Sequence, residues 1–122
     1  MKTVTLSTLQ AYKQAGETFS CLTAYDASFA HAASQAGIDV LLVGDSLGMV
    51  LQGHNSTLPV TIDDIVYHTR CAARGKGHSL LMVDLPFMSN ATTERLLEDA
   101  GAVMRAGAEL VKLEGEAWMA DG

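Results

Sequence analysis

Short, unbroken apolar runs alternate along the chain with longer stretches in which apolar positions recur every three or four residues. The first kind reads as buried strand and the second as helix. Ser7 can cap a short helix through Ala15, with Gly16 as its stop. Phe19 to Ala24 reads as a first strand. Asp26 can cap a helix running to Ala36, after which Gly37 supplies a left-handed turn. Val40-Leu41-Leu42-Val43 is a second strand with no polar alternation, as expected where both faces of a parallel sheet are covered. A long loop rich in Gly, Ser and Asn follows, from Gly44 to Val60. Thr61 with Asp64 resembles a capping box for a helix through Arg74. Leu80-Leu81-Met82-Val83 is a third buried strand. Thr92 or Thr93 starts a helix ending near Ala106, with Gly107 beyond it, and Leu110 to Leu113 is a fourth strand.

This order predicts an α/β fold with parallel strands and right-handed crossovers. Two architectures compete. One is a complete small doubly wound domain. The other is the first half, about four βα units, of a (β/α)8 TIM barrel, which needs roughly 250 residues. The final stretch, Trp118 to Gly122, barely enters a next element, so the fourth strand lacks a full covering helix. That favours the half-barrel, with residues 1–122 as the N-terminal part of a single barrel catalytic domain and its C-terminal half absent. Open edges on the first and fourth strands would invite association.

Composition narrows the function classes. Of 122 residues, 48% are hydrophobic and 18% charged, which is too apolar for a disordered segment. The net charge is −6, and Lys and Arg are scattered singly, so no basic stripe suits a nucleic acid. No apolar run approaches the ~20 residues of a membrane span. The N-terminus carries no apolar core of a signal peptide. Cys21 and Cys71 form no CxxC pair and are expected to be reduced core residues rather than a disulfide. A cytoplasmic, enzyme-like protein fits these features.

The acidic residues gather where strands end. Asp45 follows the second strand with one glycine between, Asp84 directly follows the third, and Glu114 directly follows the fourth. In parallel α/β folds, ligands bind at the carboxyl ends of the strands. Carboxylates crowded there repel one another and become stable around a cation. Hard oxygen ligands suit Mg²⁺, which takes one or two protein carboxylates and keeps other positions for water or substrate. The plainer alternative is that each acid caps the helix that follows it, and for Asp26 that reading is preferred. Lys112 lies two residues before Glu114 in a strand, so the two side chains share a face. It could hold an anionic substrate or a developing oxyanion, or simply pair with Glu114.

Gly44-Asp45-Ser46-Leu47-Gly48 contains the GDSL nucleophile motif of a lipase and esterase family. None of His31, His54, His68 or His78 has Asp three residues before it, so Ser46 lacks the base that motif requires. Its hydroxyl could still bind an anion. The histidines show no metal-ligand spacing; His68 reads as a structural helix residue, and His54 lies in the long loop where a ligand could reach it.

Longer motifs resemble a known family. Gly44 to Met49, then Gln52-Gly53-His54-Asn55-Ser56-Thr57-Leu58-Pro59-Val60-Thr61, closely resemble ketopantoate hydroxymethyltransferases. So do Asp84-Leu85-Pro86-Phe87-Met88, Val103 to Ala108, and Val111-Lys112-Leu113-Glu114-Gly115. Asn55 departs from the pattern, where Asp is expected, at a position with no metal role. The resemblance implies a (β/α)8 barrel, a homodecamer and use of Mg²⁺. It implies transfer of a hydroxymethyl group from 5,10-methylenetetrahydrofolate to 3-methyl-2-oxobutanoate, giving 2-dehydropantoate on the way to pantothenate and coenzyme A. Asp45 and Asp84 would bind the metal, with Glu114 in or near its shell. Asp45, Ser46, Asp84 and Lys112 would contact the keto acid. The general base, a Glu from a later strand, is expected beyond Gly122, so the 122 residues alone are expected not to turn over. Three alternatives remain. They are a Mg²⁺-dependent enolate enzyme of the isocitrate lyase and phosphoenolpyruvate mutase type, a receiver-type signalling domain, and a truncated, non-catalytic fragment. The receiver fits poorly, because its acids follow strands one and three and its Lys follows strand five.

Overall fold

A computed structural model describes residues 1–114. The motif residue Gly115 and the expected final stretch from Trp118 to Gly122 lie outside the described residues. The elements run α1 (Leu6–Ala15), β1 (Cys21–Thr23), α2 (Ala27–Gln35), β2 (Val40–Val43), α3 (Leu47–Val50), α4 (Ile62–Gly75), β3 (Leu80–Asp84), α5 (Thr93–Ala106) and β4 (Leu110–Lys112). The strands form one parallel sheet in the order β1-β2-β3-β4. This is the arrangement of successive βα units in a barrel, with β1 and β4 at the edges of the sheet formed by the described residues.

Local chemistry accounts for the helix boundaries. The Asp26 carboxylate accepts the Phe29 N–H at 2.7 Å, closing the start of α2. Thr61 and Asp64 form the expected reciprocal box at the start of α4. Thr92, of the two threonines available, caps α5. At α1 the cap is Thr5 rather than Ser7, because Thr5 and Thr8 satisfy each other's backbone N–H groups two residues earlier. The long loop holds one unanticipated turn of helix, α3, too short to leave a periodic signal. The first strand is shorter than expected, at three residues, and the fourth ends at Lys112.

The sheet's two faces differ. Leu41, Val43, Leu81 and Val83 are fully buried against the layer of α2, α4 and α5. The alternate positions face the other way. There Val40 and Leu80 are covered by Val4, with Leu9 of α1, Met82 and Leu110 packed beside them. The Val4 N–H donates to the His78 carbonyl at 2.7 Å and ties this cover down. Along that second face the register continues upward from Val40 and Leu80 to Leu42, Met82 and Leu110, and then to Asp84 beside Lys112. The Asp84–Lys112 pair is thus the top layer of the face turned away from α2, α4 and α5.

Edge position also corrects the cysteine expectation. Cys21 sits on β1 and is exposed, and Cys71 on α4 is half-buried; both are free thiols. Partial burial raises the Cys21 thiol pKa, with Lys112 pulling the other way. Among the described residues, no helix is long and apolar enough to cross a membrane.

Candidate active site

Register brings the predicted groups to one end of the sheet. Asp84, the last residue of β3, pairs in register with Lys112 of β4. The Lys112 ammonium donates to Asp84 Oδ2 at 3.2 Å and to Glu114 Oε1 at 2.7 Å. Asp84 is buried, at 8% exposure, while Glu114 is open to solvent. Gly44 makes the close approach possible, since a Cβ there would lie 3.3 Å from Asp84 Cβ. Asp45 follows it, and its carboxylate shares a cleft of ≈ 240 Å³ with Asp84 and Glu114. Leu58, Phe87, Met88 and Leu113 form the apolar wall of that cleft. Met88 holds a left-handed φ of 74°, which is uncommon for a side-chain-bearing residue. A wider hollow of ≈ 480 Å³ lies along Leu9, Lys13 and Phe19, but it does not contain the strand-end acids.

The electrostatics of the site are unbalanced. Burial pushes the Asp84 carboxyl above its usual range; Lys112 opposes this, and the charges of Glu114 and Asp45 add to it. Glu114, hydrogen-bonded to Lys112, is held below its usual value. Lys112 is pushed up, chiefly by its hydrogen bond to Glu114, and stays cationic. Asp84 Oδ1 is buried with no hydrogen-bond partner among the described residues. An unsatisfied buried carboxylate oxygen is costly, and such atoms mark places where a missing ligand belongs.

Asp45, Asp84 and Glu114 therefore line one cleft, and Lys112 bonds to the last two. The acids do not enclose an ion-sized space: among the described residues, no three Asp, Glu, His or Cys side chains are spaced to hold one metal. Lys112 lies between Asp84 and Glu114 instead. Ser46 stands beside Asp45 at the start of α3, and its hydroxyl shares a 2.6 Å hydrogen bond with the Tyr25 hydroxyl. Its hydroxyl thus meets a phenol, not the imidazole an esterase needs. His68 Nδ1–H donates to the Tyr25 carbonyl at 2.7 Å, and His78 pairs with Ser34 at 2.9 Å, so both act structurally. His54 lies exposed in the loop, outside the residues that line the cleft.

Tyr25 was missed by sequence reasoning. The available signal was position: it lies two residues past β1, at the same sheet end as the three acids.

Solved enzymes share this fold. A phosphonopyruvate hydrolase, crystallised with oxalate and Mg²⁺, superposes with a TM-score of 0.69 over 84% of this chain and 36% of its own, at 16% identity. A 2,3-dimethylmalate lyase of the PEP mutase/isocitrate lyase superfamily gives 0.66 over 91% of this chain and 39% of its own, also at 16% identity. Such likeness shows the fold alone, that of the α/β barrel enzymes. Sequence is more specific. Residues 3–122 match the family model of ketopantoate hydroxymethyltransferase, and the chain belongs to that family. It is 79% identical over its whole length to the 3-methyl-2-oxobutanoate hydroxymethyltransferase of Chromohalobacter salexigens, of which it covers 46%. It is 62% identical over 118 residues to that of Marinobacter nauticus, of which it covers 45%. The chain spans about half the length of the curated relatives it matches.

Proposed function

We propose that this chain supplies the metal- and keto-acid-binding part of a cytoplasmic 3-methyl-2-oxobutanoate hydroxymethyltransferase, working with Mg²⁺ and 5,10-methylenetetrahydrofolate in a homodecamer. The observation that carries this reading is the buried, unpartnered Asp84 Oδ1 at the strand end, in a cleft shared with Asp45. Two carboxylates with an open side fit Mg²⁺, which prefers oxygen donors and seldom takes a full set from protein. Asp45 and Asp84 would hold it, with Glu114 nearby and tethered through Lys112. Bound there, Mg²⁺ supplies Lewis-acid polarisation of the keto group, which lowers the barrier to losing the C3 proton.

The chain's own residues do the rest of the binding. Lys112 keeps its charge and attracts the carboxylate of 3-methyl-2-oxobutanoate, giving up part of its contact with Glu114. Ser46 donates its hydroxyl hydrogen to the same anion. Leu58, Phe87, Met88 and Leu113 present apolar surface to the branched alkyl group and keep water from it. The base that removes the C3 proton is assigned to a Glu in the part of the relatives that this chain does not span. C3 then forms its bond to the methylene carbon of 5,10-methylenetetrahydrofolate, whose C–N bonds break as water supplies the hydroxyl oxygen, so that tetrahydrofolate leaves and the product is 2-dehydropantoate.

The test completes the chain with the remaining part of the Chromohalobacter salexigens relative, in place of the matching first 46%. Transfer of label from methylenetetrahydrofolate into 3-methyl-2-oxobutanoate, lost on chelation of divalent ions and restored by Mg²⁺, is the expected result. The 122-residue chain by itself, which spans 46% of that relative, is expected to give no label transfer. Cleavage of a 2,3-dialkylmalate without label transfer would instead favour the lyase chemistry of the structural neighbours and overturn the assignment.

A further inference from the structure

We propose that Tyr25 is a positioning residue that sets the direction of the Ser46 hydroxyl hydrogen, so that Ser46 meets an anionic substrate as a donor. The inference rests on the proposed role of Ser46 in holding the keto acid. Tyr25 is buried, at 9% exposure, and its hydroxyl lies 2.6 Å from Ser46 Oγ. Either hydroxyl could donate in that pair, and their acidities decide between them. A phenol is a far better hydrogen-bond donor than an alkyl hydroxyl. Tyr25 therefore gives its hydrogen to Ser46, and the hydrogen of Ser46 is left pointing elsewhere. A donor chain of this kind also polarises the second hydroxyl and strengthens its bond to a negative acceptor.

The fold holds the donor still. Tyr25 lies in the turn between β1 and α2. Its carbonyl accepts the His68 Nδ1–H at 2.7 Å, which ties that turn to α4. The His68 ring in turn packs edge-on against Tyr67, with centroids 5.2 Å apart. One residue further on, Asp26 caps α2. Both ends of the Tyr25 side chain are thus fixed, the backbone by His68 and the hydroxyl by Ser46.

The experiment is a double-mutant cycle in the completed chain, with wild type, Y25F, S46A and the double variant compared. The expected result is that Y25F raises the KM for 3-methyl-2-oxobutanoate about five- to tenfold, the scale of one ordinary hydrogen bond. The KM for methylenetetrahydrofolate stays unchanged. Calorimetric titration of the Mg²⁺-loaded protein with the keto acid shows the same loss of affinity. In the S46A background, Y25F has no further effect, because the two hydroxyls act as one unit. Effects that multiply independently, or a Y25F protein with wild-type KM, overturn the proposal. An S46A protein with wild-type KM and affinity instead removes the proposed role of Ser46 and takes this inference with it. Should Y25F fold poorly, tyrosine labelled at Cζ reads the pairing with Tyr25 intact. The Tyr25 resonance moves in S46A if the bond exists, and an unmoved resonance also overturns the proposal.

Discussion

The two ends of the sheet are built from the same residue types and treat them in opposite ways. At the amino ends of the strands, polar groups find partners within the fold. Asp39 accepts both the backbone N–H and the hydroxyl of Ser20, at 3.0 and 3.3 Å, and Ser20 Oγ accepts the Asp39 N–H at 3.0 Å. Ser79 Oγ donates to the Ile38 carbonyl at 2.6 Å. Lys76 pairs with Glu109 at 2.8 Å, and the same carboxylate oxygen accepts the Leu81 N–H at 3.2 Å. At the carboxyl ends, one ammonium serves two carboxylates, Asp45 crowds them, and Asp84 Oδ1 has no partner among the described residues. A satisfied network fixes the position of strands, whereas an unsatisfied one costs stability unless some further group pairs with it. With the proposed site at the carboxyl ends, stability and function would be allotted to opposite ends of the same strands, as expected for parallel α/β folds.

Substitution at each end should separate the two properties. In the completed chain, D84N is expected to lower kcat/KM at least about 10²-fold, the scale of losing one preorganised electrostatic group. Its effect on stability should stay within about 1 kcal/mol, because an imperfectly paired buried charge contributes little net stability. D39A should do the reverse. It removes the two hydrogen bonds that the Asp39 carboxylate accepts from Ser20, which lock the entry to β1 against the entry to β2, so a loss of about 1–2 kcal/mol is expected. Activity measured well below the melting temperature should hold. Urea unfolding curves and initial rates on both variants check the contrast. If D39A cost activity as D84N does, while remaining folded, the division between the ends would be wrong.

Much of this division was legible in the residues. The uniform runs Val40–Val43 and Leu80–Val83 read as strands because helices cover one face and α1 with its neighbours partly covers the other. The strand-end positions of Asp45, Asp84 and Glu114 followed from those boundaries, and the two-residue spacing put Lys112 beside Glu114. The geometry within the cluster was less legible. Alternation assigns a face but not a distance, so the sequence could not place the Lys112 ammonium between Asp84 and Glu114. The Tyr25–Ser46 bond joins residues 21 apart, and an aromatic residue after a strand reads first as core. Thr5 and Ser7 are equally good caps on local chemistry, and only the reciprocal contact with Thr8 decides between them.

The carboxyl end also holds an acid of the opposite kind, which sharpens the comparison at the smallest scale. Asp64, in the first turn of α4, accepts the Thr61 backbone N–H at 3.0 Å, and that bond holds its carboxyl below the usual range. Asp84 is thus pushed up by burial, whereas Asp64 is pulled down by a backbone donor. For Asp64 the lowered folded pKa means that its ionised form favours the native state. That contribution is present above the ordinary carboxylate pKa of about 4 and is lost as pH falls through the lower folded value. D64A is therefore expected to cost about 1 kcal/mol at neutral pH, the usual cost of a lost cap. The difference from wild type should shrink as the pH falls below about 4, where the wild-type carboxyl also becomes neutral. Unfolding curves for the pair across that range measure it. A gap that stays constant down to the lowest pH at which both proteins fold would show that Asp64 acts through its shape rather than its charge.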